Sequence, residues 1–124
     1  MNEQLVVIID DDEMLLTLAG AILTNEGYKV RTASDSAMAN QYIFGELRPA
    51  LILIDVMMPE LQGDEIAKLL KENPDTSSIP ILLMSGMSEE ELDEMVLKTG
   101  VNGYLIKPFS FEELVEAVRK ICNE

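Results

Sequence analysis

The chain has 124 residues, the size of one ordinary domain, and its 48% hydrophobic content is ample for one packed core. A net charge of −14 argues against a nucleic-acid backbone as partner, since that recognition needs a basic footprint. No apolar run approaches the roughly 18 residues of a membrane span, and the absence of histidine removes catalytic triads, zinc-protease sites and a nucleophilic histidine of the chain's own.

Taken in order, short apolar runs alternate five times with helical patterns, the signature of βαβ units and a mostly parallel sheet. The N-terminus, Met1-Asn2-Glu3-Gln4, has neither the basic region nor the long apolar stretch of a signal peptide, so the expected compartment is the cytoplasm. Strands are expected over 5–10, 28–33, 50–55, 80–85 and 103–106. Helices are expected over 13–26, 36–46, 63–73, 89–98 and 111–123. In the first helix Leu15, Leu18, Ala19, Ile22 and Leu23 read as the apolar face, with Gly27 as the stop. Ser34, Ser36 and Asn40 dilute the pattern of the second, and Pro74 ends the third. The last two helices open with the same capping box, Ser88-Glu89-Glu90-Glu91 and Ser110-Phe111-Glu112-Glu113. The acidic run from Glu89 to Glu94 reads as a solvated face favoured by the helix dipole, with a partner surface as the sharper alternative. Cys122 falls at helical spacing with Val115, Val118 and Ile121 and reads as a structural thiol; the eight methionines read as core filler.

Polar residues stand at the ends of four of the strands. Asp10 and Asp11 close the first, Asp55 the third, Ser85 the fourth and Lys107 the fifth. In an open parallel sheet these ends share the carboxyl edge, where ligands bind. Two carboxylates about 4 Å apart repel by roughly 4 kcal/mol at an effective dielectric near 20. Such a cluster takes up a proton or binds a cation, and all-oxygen donors favour a hard one such as Mg²⁺. Asp55 is then a candidate nucleophile, since a carboxylate can accept a phosphoryl group as an acyl phosphate. Lys107 can neutralise charge and Ser85 can donate to a phosphoryl oxygen.

These residues lie in Val7-Ile8-Ile9-Asp10-Asp11-Asp12, Asp55-Val56-Met57-Met58-Pro59 with Gly63, Met84-Ser85-Gly86, and Gly103-Tyr104-Leu105-Ile106-Lys107-Pro108-Phe109. In that combination the chain resembles the receiver domains of two-component response regulators, of the chemotaxis-regulator type, over nearly its whole length. The resemblance implies an α/β, flavodoxin-like, doubly wound (βα)5 domain spanning 1–124, with a five-stranded parallel sheet of order 2-1-3-4-5. It implies that Asp55 is the phosphoacceptor and that Asp10, Asp11, Asp55 and the backbone carbonyl of Met57 hold Mg²⁺, or Mn²⁺ in its place. Lys107 would pair with the phosphoryl group before a cis bond to Pro108, Gly86 would leave room for it, and Ser85 with Tyr104 would form a switch pair biasing the α4-β5-α5 surface. The implied partners are a sensor histidine kinase or a histidine phosphotransfer protein, with a downstream effector whose nature is unspecified. This domain would bind neither nucleic acid nor membrane and would be a signalling domain, not an enzyme.

Two features depart from the family pattern. Met57 and Met87 stand two residues after Asp55 and Ser85, where many relatives carry polar side chains; crowding of a hydrolytic water there predicts a long phosphoryl lifetime. Asn102-Gly103 replaces the acidic pair found before the tyrosine in receivers that dimerise for DNA binding through this face, which with the acidic run Glu89 to Glu94 argues against that dimer mode; the expected state is a monomer or a phosphorylation-dependent dimer. Two rival readings follow from the same residues. A haloacid-dehalogenase-type phosphatase would make Asp10 the nucleophile and Asp12 its acid–base partner, and a pseudo-receiver would never take phosphate. With Glu124 the last residue, the expectation is a receiver standing alone or excised from a longer chain, the second being preferred.

Overall fold

The computed structural model describes residues 4–58 and 62–122, so Pro59 and the last expected position of the fifth helix, 123, lie outside the described residues. The strands are β1 (Leu5–Ile9), β2 (Lys29–Ala33), β3 (Pro49–Asp55), β4 (Ile81–Ser85) and β5 (Gly103–Ile106). They alternate with α1 (Glu13–Asn25), α2 (Ser36–Ile43), α3 (Gly63–Glu72), α4 (Glu89–Thr99) and α5 (Phe111–Cys122). All strand pairs are parallel, in the order β2-β1-β3-β4-β5. The expected doubly wound flavodoxin-like α/β fold is present.

Strand alternation sorts the continuous apolar runs onto two faces. Leu5, Val7, Ile9, Ile52, Ile54, Ile81 and Leu83 face one side, covered by Ala39 and Ile43 of α2, Ala67 and Leu70 of α3, and Met95 and Val96 of α4. Val6, Ile8, Leu51, Leu53, Leu82, Met84 and Leu105 face the other, under Leu16, Ala19 and Leu23 of α1 and Leu114 and Val118 of α5. Burial on both faces is why these strands read as unbroken hydrophobic runs. The edge strand β2 breaks that rule, carrying exposed Lys29 and Arg31, which blunt the edge.

Two local expectations need correction. The inward stripe of α1 is Leu16, Ala19 and Leu23, with Leu15 and Ile22 at its margin, while Leu18 is exposed. Both stripes have helical spacing, and only the docking of α5 decides between them. Helix α2 stops at Ile43, three residues short of 46, where Gly45 disfavours helix and Phe44 and Leu47 find nothing to bury against.

The helix starts follow their capping chemistry. Asp12 Oδ1 accepts from the Met14 and Leu15 amides, Asp35 accepts from Met38, and both serine–glutamate boxes close reciprocally. Burial pushes the Cys122 thiol up to about 11, in keeping with a structural cysteine.

Candidate functional site

Register builds the site. Ile9 pairs with Ile54, so Asp10 and Asp55 leave their neighbouring strands side by side. Asp55 pairs with Met84, which sets Ser85 one step beyond, and Ser85 pairs with Ile106, which sets Lys107 one step beyond again. The strand order reverses between β1 and β3, so the crevice of the sheet opens at these carboxylates.

Lys107 Nζ lies 2.8 Å from Asp10 Oδ2 and 3.1 Å from Asp55 Oδ1, bridging strands separated by β4. Asp10 is fully buried and its other oxygen accepts the Asp12 amide at 3.0 Å; Asp55 is 4% exposed. Asp11 is exposed, yet a carboxylate oxygen from each of Asp10, Asp11 and Asp55 falls within 4.8 Å of the others. Burial, and after it the Asp10 charge, raises the Asp55 carboxyl above the usual carboxylate range despite the pull of Lys107. For Lys107, burial disfavours the charged form, but the hydrogen bonds and charges of Asp10 and Asp55 outweigh it and hold the ammonium above its ordinary value.

Three carboxylates against one ammonium leave the cluster anionic and lined with oxygen donors. That donor set fits a hard dication that keeps part of its water shell, and Mg²⁺ binds through few carboxylates in that way.

The loops around this centre are fixed to different degrees. Gly63, the first residue of α3, is buried against the end of β3: its amide donates to the Val56 carbonyl at 2.8 Å, and a Cβ there would overlap the Asp55 carbonyl oxygen. Only glycine permits that approach. The Lys107–Pro108 bond is cis. Ser85 is buried, and its hydroxyl accepts the Met87 amide at 3.0 Å. A Cβ at Gly86 would meet only the Lys107 carbonyl, at an ordinary 3.9 Å, so this state does not itself require glycine there. The Tyr104 ring is turned outward, with its hydroxyl donating to Asp93 Oδ1 of α4 at 2.9 Å. That bond raises the phenol above its ordinary range.

Residues 6–119 match the family model described as the response regulator receiver domain. The chain belongs to that family. It is 37% identical over 99% of its length to the alkaline phosphatase synthesis transcriptional regulatory protein PhoP of Bacillus subtilis, covering 50% of that protein. The chemotaxis protein CheY4 of Vibrio cholerae superposes with a TM-score of 0.88 at 27% identity, covering 96% of this chain and 98% of that one. The receiver domain of the sensor histidine kinase PA1611 from Pseudomonas aeruginosa, which carries a magnesium ion in its active-site cleft, shares the fold at 24% identity, with a TM-score of 0.84 over 98% and 99% of the two chains. The chain spans about half the length of the curated relatives it matches.

Receiver domains are signalling domains of two-component response regulators, which are phosphorylated by histidine kinases, and they bind Mg²⁺ at an acidic site. Family membership displaces the phosphatase reading, and the geometry agrees with that outcome. Asp12, its would-be acid–base partner, points its oxygen into the cap of α1 and lies outside the three-carboxylate cluster. Among the described residues no helix is long and apolar enough to cross a membrane.

Sequence reasoning missed two residues of this receiver. Asp93 is one of five acidic residues between Glu89 and Glu94, and nothing local marks it as the partner of Tyr104. Asn102, read only as a departure from the family pattern, holds the entry of β5: its amide donates to the Ile81 carbonyl at 2.9 Å and its side-chain oxygen accepts the Ile81 amide at 3.0 Å.

Proposed function

We propose that Asp55 of this receiver takes a phosphoryl group from a phosphohistidine on a partner kinase or phosphotransfer protein in the cytoplasm. One observation carries the reading: a buried carboxylate stands at the crevice of the sheet, within 4.8 Å of two others and under the ammonium of Lys107. An Asp55 oxygen attacks phosphorus, the P–N bond breaks, and the departing imidazole nitrogen takes up a proton. Asp10, Asp11, Asp55 and the Met57 carbonyl would hold Mg²⁺, with Mn²⁺ an equivalent hard ion, whose charge offsets that of the acceptor and the phosphoryl oxygens.

The remaining work belongs to the chain. Lys107 already spans Asp10 and Asp55, so a short movement brings it onto a phosphoryl oxygen. Ser85 exchanges the Met87 amide for a second phosphoryl oxygen, and Tyr104 turns into the space it leaves. Hydrolysis of the acyl phosphate resets the domain. An apolar rim formed by exposed Met14 and Leu18 of α1 and Phe111 of α5 adjoins Lys107 and suits a helix that presents the phosphohistidine.

The test is direct: treat the chain with acetyl phosphate and Mg²⁺ and map the acyl phosphate by reductive trapping and peptide mass. Label on Asp55 alone is expected. Label on Asp10, or no label together with no response to beryllofluoride, would overturn the reading in favour of an unphosphorylated interaction module.

A further inference from the structure

The β2 edge of the sheet carries a charge opposite to that of the chain as a whole. Nine lysines and arginines stand against 23 acidic residues, yet β2 and α2 together hold Lys29 and Arg31 and no acidic side chain. Strand alternation puts both cations on the face they share with Ala33, which is buried in the core under α2. Neither has a carboxylate within ion-pairing distance among the described residues. The Arg31 guanidinium lies along the edge, donating from Nη1 to the Val30 carbonyl at 3.0 Å, which leaves the rest of its fork of donors open. Of the two acids that flank α2, Asp35 is taken up with capping Met38, and Glu46 lies at the rim of the groove beside the cations.

Two more features meet at this edge. The ladder to β1 begins at the Lys29 amide, on the Gln4 carbonyl, and ends at the Ala33 carbonyl, under the Asp10 amide. Alternation therefore turns the backbone amides and carbonyls of Val30 and Thr32 to the open side, where no further strand pairs among the described residues. Beside them an open groove of about 190 Å³ is lined by Leu5, Lys29, Arg31, Tyr42 and Leu47, with Leu47 41% and the neighbouring Phe44 52% exposed. Free backbone groups, cations two residues apart and an apolar groove on the same face are what an added strand with alternating side chains requires. We propose that β2 takes an extended acidic segment of a partner protein as an added edge strand. Carboxylates two residues apart meet Lys29 and Arg31, and an apolar side chain enters the groove at Leu47. The charges that blunt this edge against uncharged and basic strands select for an acidic one. A second copy is the wrong occupant, because two-fold pairing of β2 sets Lys29 and Arg31 against their own kind. Leu5 and Lys29 open their strands, so the groove lies at the amino end of the sheet, away from Asp55, and docking is independent of phosphorylation.

The experiment uses the whole chain and two labelled peptides, one alternating glutamate with valine and threonine, the other with lysine for every glutamate. The glutamate peptide should bind and the lysine peptide should not. Replacing both cations, Lys29→Gln with Arg31→Gln, should weaken the glutamate peptide by about tenfold or more, the size of a charge-assisted hydrogen bond. Lys68→Gln, at an exposed cation of α3, should keep the full affinity. Beryllofluoride with Mg²⁺ should leave it unchanged. Amide exchange followed by NMR reads the mode of docking: the glutamate peptide should slow Val30 and Thr32, which charge attraction alone would not do. Absence of binding by the glutamate peptide, equal binding of the lysine peptide, or undiminished binding by the double variant would each overturn the proposal. So would unslowed exchange at Val30 and Thr32, binding only in the presence of beryllofluoride, or peptide-free self-association that the double variant abolishes.

Discussion

The carboxyl edge at β1 and β3 and the surface of α4 and β5 are built on opposite principles. At the first, the buried carboxylates are each held more than once: Asp10 by a backbone amide and an ammonium, Asp55 by burial and Lys107, with Gly63 packed against the backbone beneath it. At the second, Tyr104 is tied to α4 by a solvent-exposed hydrogen bond from its hydroxyl to Asp93. The difference suits a switch. A stiff end registers a change of charge without yielding, and a lightly tied end moves in response, since a local electrostatic event needs a bistable element to bias.

The largest effect should come from softening the stiff end. Gly63→Ala puts a methyl group into the Asp55 carbonyl, so α3 or β3 must shift; a loss of about 3 kcal/mol or more is expected in urea denaturation, with acceptance of phosphate falling alongside. A next, smaller effect runs in the opposite direction. Because burial and the Asp10 charge hold the Asp55 carboxyl above its unfolded value, its ionised form costs stability at neutral pH. Asp55→Asn should therefore stabilise the metal-free protein, on the order of 1 kcal/mol as for typical single substitutions, and Asp11→Asn, at an exposed carboxylate, by less. The sign follows from linkage: as pH falls through the folded pKa of Asp55, the wild type takes up its proton and the advantage of the variant shrinks. Added Mg²⁺ should stabilise the wild type more than either variant. Denaturation at pH 7 and pH 4, with and without Mg²⁺, checks all three; a destabilised apo Asp55→Asn would count against a strained acidic centre.

The smallest expected effect is kinetic. Met57 is 64% exposed at the rim of the site, and Met87 packs partly against the core beside Ser85. Exchanging both for polar residues should speed loss of phosphate several-fold, about 1 kcal/mol of barrier. An unchanged or slower decay of labelled protein would remove the thioethers from the account.

What was legible in the sequence follows the same division. Each buried strand is an apolar run that ends on the residue that matters, so Asp10, Asp55, Ser85 and Lys107 could be placed before their registers were known. The helix starts were equally plain, because Ser88 with Glu91 and Ser110 with Glu113 are local chemistry. Contacts between elements were not legible. That one ammonium would span Asp10 and Asp55 depends on registers passed through β4, and that Gly63 is indispensable depends on how closely α3 approaches β3. The α1 stripe took in Leu18 in place of Leu16 for a similar reason, since helical spacing alone does not choose between them. Asp93 carried no local signal at all: an acidic residue on an exposed helix face acquires meaning only from the tyrosine that β5 brings to it.

The central claim is that charge arriving at the stiff end is read out by the loosely tied one. A crystal structure of the chain with beryllofluoride and Mg²⁺ measures it most directly. The account predicts the mimic on Asp55, Lys107 and Ser85 turned onto it, and Tyr104 swung away from Asp93. Beryllofluoride seated on Asp55 with the Tyr104–Asp93 bond still at 2.9 Å would contradict it.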